Sequence, residues 1–311
     1  MQRAILGCCA ALLLFAGAWT GGCDDDDDSG AGDTDTDTDT DSDSDSDSDT
    51  DSDTDSDTDT DSDTGSDTGE PFPDDPCDPS LSEEMAGNHN GMTTTDGIVY
   101  NLRAPTDYDA ENPYPFIMVY APAGANAGLT ETFTGLTSPA ISAGYIIAYA
   151  NHLSPSSSTN LQRLADVANE IMMRWCIDPD QVHLTGHSDG GSTATVTTLY
   201  DMLDVFPAAI APSAAGTNED WFASVTCIDP LPVMIMHSVN DTLFPGFGLD
   251  ARDFFVDCNA CGETPSETLP DGCELYTGCT DEVQVRYCEG TGSHGSWPGL
   301  NDSMISFFDL F

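Results

Sequence analysis

Gly186-His187-Ser188-Asp189-Gly190 sets a serine between glycines two positions before and two after it. Residues 181–185 ahead of it read as a buried strand, and the small residues of 192–202 behind it read as a helix. This is the context of a GxSxG elbow, a strained turn from strand to helix that lifts the serine oxygen above a sheet. The glycines let neighbouring backbone approach without a Cβ clash. A serine hydroxyl is a poor nucleophile until a base takes its proton, and elbow proteins supply the partners in the chain order Ser, Asp or Glu, His. His294, in GTGSHGSWPG, is the only histidine beyond Asp241, which follows the apolar run PVMIMH in HSVNDTLFPG. Ser188 as nucleophile, His294 as base and Asp241 as the acid that orients it are therefore the expected triad. Asp250 is the nearest rival acid and is read instead as opening and capping a helix. His89, His152, His183, His187 and His237 are read as structural or surface residues.

A developing oxyanion needs two backbone donors. One is expected from the amide of Asp189, the other from the loop Ala121-Pro122-Ala123-Gly124-Ala125 that follows PFIMVY. Pro122 has no amide hydrogen, which leaves Ala123. Trp297 beside the base is open to two readings, lining a substrate pocket or packing the loop. No cofactor or metal is implied.

These residues need a sheet to stand on. Residues 97–103 alternate and read as an edge strand, whereas 115–120 and 145–149 are continuous apolar runs of the kind buried on both faces. A helix is expected over 130–143, stopped by Gly144, and another over 160–175 with Leu161, Leu164, Ala168, Met172 and Trp175 on one stripe. Strands are expected at 208–211, 232–237 and 283–287, with a closing helix at 304–310. The alternation indicates an α/β fold with a mainly parallel sheet and helices on both faces.

The remainder of the chain concerns export. Arg3 and the apolar run 4–19 read as a signal peptide over 1–22. Gly21-Gly22-Cys23 resembles a bacterial lipoprotein cleavage site, with Thr20 where such sites usually carry Leu; Cys23 is the expected lipidation site and secretion without a lipid the alternative. Residues 24–70 hold 22 Asp and one Glu, mostly as Asp-Ser and Asp-Thr, so 23–75 reads as a disordered, self-repelling linker. At roughly 3 Å per residue it reaches up to roughly 140 Å from an anchor. Its spacing lacks the Gly and Glu of a calcium loop.

The linker takes 23 of the chain's 56 acidic residues, leaving 33 in 71–311 against five Arg and no Lys. That balance excludes nucleic acid and anionic membrane surfaces as partners, so membrane contact is expected only through the lipid. Residues 76–311 suit one domain. Eight cysteines remain in it, Cys77, Cys176, Cys227, Cys258, Cys261, Cys273, Cys279 and Cys288, an even count that in an exported chain implies up to four disulfides. A zinc site at Cys258 and Cys261 lacks a second CxxC or paired His.

Taken together, YNLRAPTDY, PFIMVYAPAG, WCIDPDQVHLTGHSDGG, PVMIMHSVND and SHGSWPG resemble the secreted polyhydroxybutyrate depolymerase and feruloyl esterase group of α/β-hydrolases over roughly residues 95–311. The resemblance implies the α/β-hydrolase fold and hydrolysis of an ester substrate, polymeric or small, by a serine esterase in which Ser188, Asp241 and His294 take the triad positions. This chain has Ala121-Pro122 where the group carries His-Gly, and HSVND where it carries HGTxD. In this fold the strands after Cys176 and Cys227 are expected to be neighbours, which suggests a Cys176–Cys227 bridge; the other six cysteines allow 15 arrangements. An oligopeptidase and a non-catalytic surface-displayed binding protein are the alternatives.

Overall fold

A computed structural model describes residue 77 and residues 86–311 of the chain. The expected signal peptide (1–22), the lipidation site Cys23 and the acidic linker up to residue 75 lie outside the described residues. In chain order the elements are β1 (Gly87–Thr93), β2 (Val99–Ala104), β3 (Tyr114–Tyr120), α1 (Ala127–Thr134), α2 (Thr137–Ser142), β4 (Ile146–Ala150), α3 (Ser158–Met172), β5 (Ile177–His187) and α4 (Asp189–Leu199). They continue with β6 (Ala209–Ser213), α5 (Glu219–Phe222), β7 (Val233–Ser238), α6 (Phe247–Cys258), β8 (Glu267–Thr268), β9 (Glu274–Tyr276), β10 (Val285–Gly290) and α7 (Asn301–Phe308).

The strands form one sheet in the order β1-β2-β4-β3-β5-β6-β7-β10-β9-β8. From β4 to β10 all pairings are parallel, and the outer pairs on both sides are antiparallel. The continuous apolar runs explain the parallel centre. Along β3, Phe116, Met118 and Tyr120 join one buried cluster with residues of α3 and α6, whereas Ile117 and Val119 join a second with residues of α1, α2 and α7. A strand covered on both faces must be apolar at every position, and each such side chain contributes about 1.5–3 kcal/mol on burial.

Local signals fix the helices. Ser157 caps α3 by accepting from the Asn160 amide, and the expected apolar stripe of that helix is buried. The single helix expected over 130–143 is instead two, because Gly135 takes a left-handed conformation (φ 62°) that ends α1. Helix α4 is buried along its whole length despite four threonines. Thr193, Thr195, Thr197 and Thr198 each donate to the carbonyl four residues earlier, so no hydroxyl among them is stranded.

Two further expectations are corrected. Residues 97–103 were expected at a sheet edge, yet β2 lies one strand in, covered by β1, whose GNHNGMT has no apolar pattern to announce a strand. The Cys176–Cys227 bridge is not formed: Cys176 pairs with Cys77 and Cys227 with Cys258, while Cys261–Cys279 and Cys273–Cys288 staple the segment around β8 and β9. The reason is strand order. β6 stands between β5 and β7, which separates the two strands by about 10 Å, beyond the span of a disulfide.

Candidate active site

Parallel strands all point their carboxyl ends to the same edge of the sheet, and the register brings those ends together. Tyr120 pairs with Gly186, His187 with Ser213, His237 with Glu289 and Ser238 with Gly290. In open α/β sheets this edge is where ligands bind. Ser188 stands on it, at the junction of β5 and α4, with φ 57° and ψ −117°. A non-glycine residue there is strained, and the surroundings hold it. Its amide donates to the Ser213 carbonyl at 2.9 Å.

The glycines of the elbow are required by close approach. A Cβ at Gly190 would lie 2.1 Å from the Tyr120 carbonyl oxygen, one at Gly186 2.5 Å from the Gly190 carbonyl carbon, and one at Gly191 2.5 Å from the Ser213 oxygen. The first turn of α4 is thus pressed against the ends of β3 and β6. The loop leaving β3 is thereby brought beside the residue after the serine.

His294 Nδ1 lies 2.7 Å from Asp241 Oδ2, and His294 Nε2 lies 2.9 Å from Ser188 Oγ. A carboxylate only accepts, so Nδ1 carries the proton and donates to Asp241, leaving Nε2 as acceptor for the serine hydroxyl. Asp241 Oδ1 accepts from the Leu243 and Phe244 amides, each at 2.9 Å. Burial pushes the Asp241 carboxyl upward, but the hydrogen bonds from His294 and the two amides outweigh it and leave the group below its ordinary value. It stays charged against the imidazole.

Three histidines expected to be structural or surface residues bond directly to this machinery. His187 Nε2 donates to the His294 carbonyl at 2.6 Å, so its Nδ1 accepts from Ser213 Oγ at 3.0 Å. Burial lowers the His187 pKa to about 4 despite the bond to the His294 carbonyl, which acts the other way. His237 Nε2 donates to the Phe244 carbonyl at 2.9 Å and so braces the turn that Asp241 caps. His152 Nε2 donates to Asp189 Oδ2 at 2.9 Å. Their partners are backbone carbonyls, the Ser213 hydroxyl and a carboxylate, mostly distant in the chain, which a sequence does not display. His89 and His183 stay away from the site, His89 edge-on to Trp175 and His183 stacked on Phe308.

The acid loop and the base loop are tied to each other. Ser238 Oγ donates to the Gly292 carbonyl, Asn240 Nδ2 to the Thr291 carbonyl at 2.8 Å, and the Val239 amide to the Gly290 carbonyl at 3.0 Å. The Ser238 bond depends on the departure from HGTxD noted above, since glycine has no hydroxyl. Trp297 packs edge-on to Phe133 and His187 and donates from Nε1 to Asn301 Oδ1 at 2.7 Å, which docks the base loop on α7. It also borders a cavity of about 370 Å³. That cavity is bordered by His294 and Asp241 but not by Ser188. Asp250, the rival acid, is in the first turn of α6 and accepts from the Glu219 amide, away from His294.

Among the expected oxyanion donors, Asp189 is the first residue of α4, where an amide has no partner within the helix. Residues Pro122 to Ala125 form a turn closed by the Ala125 amide on the Pro122 carbonyl, with Gly124 at φ 73°. Ala123 sits at the tip of that turn, and its amide donates to no atom among the described residues.

No family model matches the chain. It is similar to a probable feruloyl esterase C from Aspergillus niger, 24% identical over 235 residues, 69% of this chain and 83% of the relative. It is also similar to feruloyl esterase D from Neurospora crassa, 25% identical over 247 residues, 68% of this chain and 82% of the relative. Among solved structures, an acetyl xylan esterase from Aspergillus awamori superposes with a TM-score of 0.57 at 13% identity, covering 73% of this chain and all (100%) of its own. The chain has the α/β-hydrolase fold.

Proposed function

We propose that this chain is a serine esterase that cleaves carboxylic esters through an acyl-enzyme, with Ser188, His294 and Asp241 as its triad. The observation that carries the reading is the unbroken relay from Asp241 through His294 to a serine held on a strained elbow. The similarity to feruloyl esterases supports the ester as substrate class.

In the proposed reaction Ser188 Oγ attacks the ester carbonyl while His294 Nε2 takes its proton. Asp241 keeps the imidazole in the accepting tautomer and stabilises its protonated form. The tetrahedral oxyanion is held by the amides of Asp189 and Ala123. Collapse expels the alcohol, which receives the proton from His294. Water, deprotonated by His294, then attacks the acyl-enzyme and releases the acid.

The substrate reading is a hydroxycinnamoyl or acetyl ester on plant polysaccharide, with polyhydroxybutyrate as the alternative polymer. An acidic surface free of lysine suits neutral or insoluble material rather than an anionic one. Four disulfides among the described residues fit an oxidising, extracytoplasmic site of action. Cys23 is proposed as the lipid anchor and residues 23–75 as the spacer that carries the catalytic domain, 76–311, away from the membrane. The test is hydrolysis of p-nitrophenyl acetate and butyrate, then methyl ferulate, acetylated xylan and polyhydroxybutyrate films, beside Ser188→Ala. Turnover of methyl ferulate or acetylated xylan lost in the variant supports the reading, and a folded wild-type protein inert on every ester overturns it.

A further inference from the structure

The residue that follows the nucleophile is an aspartate, and this poses an electrostatic problem. Resting on the esterase reading above, the amide of Asp189 is one of the two donors to the oxyanion. Its own carboxylate carbon is only three covalent bonds from that amide nitrogen, through Cα and Cβ, so covalent geometry keeps the two within a few ångströms. Asp189 is buried, its side chain 8% exposed, where a negative charge is poorly screened. Left alone, it would repel the charge that the transition state develops.

It is not left alone. His152 reaches it from the segment that follows β4, with Nε2 2.9 Å from Asp189 Oδ2. That segment is anchored in turn to the loop leaving β3: the His152 amide donates to the Ala125 carbonyl at 3.0 Å, and Asn151 Oδ1 accepts from the Ala127 amide at 2.8 Å. One short stretch, Asn151-His152, therefore touches both sides of the oxyanion site. It touches the α4 side through the Asp189 carboxylate and the β3 side through the turn that carries Ala123.

We infer that His152 is a positioning residue for ester hydrolysis, acting through Asp189: its Nε2–H binds the Asp189 carboxylate and offsets a negative charge that would otherwise oppose the oxyanion held on the Asp189 amide. The ester in its ground state carries no such charge. The effect is confined to the transition state, and so to kcat.

A purely structural role for the pair, holding one loop to α4, predicts a different pattern of coupling, and a double-mutant cycle separates the two. His152→Ala should lower kcat on p-nitrophenyl acetate about tenfold with KM within about twofold. In the Asp189→Asn background, where no carboxylate charge remains, the same replacement should cost less than about threefold. His152→Gln, whose amide still donates, should recover most of the loss, and His152→Leu, which fills the space without a donor, stands in if the alanine variant does not fold. An equal loss in both backgrounds, or a loss in KM alone, would overturn the inference while leaving the esterase reading intact. So would wild-type kcat in His152→Ala. An inert wild-type enzyme would overturn both.

Discussion

At the scale of single residues, the site rests on which nitrogen of each histidine carries the proton. Asp241 fixes that for His294 by accepting at Nδ1 while its other oxygen is held by two backbone amides. Asp241→Asn leaves the shape but offers an N–H where an acceptor is needed, so kcat on p-nitrophenyl acetate should fall about ten-thousand-fold with little change in fold. His187 does the equivalent for the base's backbone, since its Nε2–H grips the His294 carbonyl. His187→Leu should therefore lower kcat about ten- to hundredfold through a loosened base loop, and His187→Gln should recover part of it, read as kcat with thermal stability alongside. The three residues of the proposed triad could be picked out in the sequence because chemistry dictates both residue types and chain order, and the structure brings them within hydrogen-bond distance of one another. The bracing histidines could not, since what defines His187 is a carbonyl 107 residues away.

At the scale of elements, the elbow works because α4, β3 and β6 meet without side chains between them. Gly190→Ala places a methyl against the Tyr120 carbonyl, a backbone atom that can move only if β3 moves. That variant should lose several kcal/mol of stability, on the order of 3 or more, visible as a lower melting temperature or as loss of soluble protein. On the other side of the sheet, Arg103 pins β2 to α1 with two hydrogen bonds to Glu131 (2.8 and 2.6 Å) and spends further donors on the His89 and Leu102 carbonyls and on Asn90. Arg103→Leu leaves a mostly buried carboxylate uncompensated and should cost roughly 3 kcal/mol in denaturant unfolding. The buried strands and long helices were legible from their periodicity. β1 was not, because an edge strand made of Gly, Asn and His is held by its neighbour's backbone rather than by its own apolar face. Nor was the split between α1 and α2, which turns on one left-handed glycine.

At the scale of the whole molecule, the sheet order decides what the sequence leaves open. Cys176 and Cys227 precede strands that β6 keeps apart, so cysteine pairing follows topology and not proximity of motifs. Buried neutral histidines also give the molecule a pH response. His183 lies fully buried with neither ring nitrogen bonded among the described residues, and burial lowers its pKa to about 3; that of His187 is lowered to about 4. Both lie below the ordinary 6.5. Unfolded chain takes up these protons as pH drops below 6.5, whereas the native state does not until about 4 and about 3, so the stability is full above 6.5 and lost on acidification across that window. Each histidine contributes a slope of up to about 1.4 kcal/mol per pH unit there. His183→Leu should flatten the fall in unfolding free energy between pH 6 and pH 4 by about that slope, measured by urea unfolding at each pH.

The proposed chemistry turns on Ser188 being a nucleophile activated by His294. It is tested most directly by treating the wild-type protein with a fluorophosphonate and mapping the adduct by peptide mass spectrometry while esterase activity is followed. One adduct is expected, on Ser188, forming in step with loss of turnover and absent or strongly slowed in His294→Ala. Turnover that survives complete labelling of Ser188, or an adduct that forms on another residue as activity is lost, would contradict it.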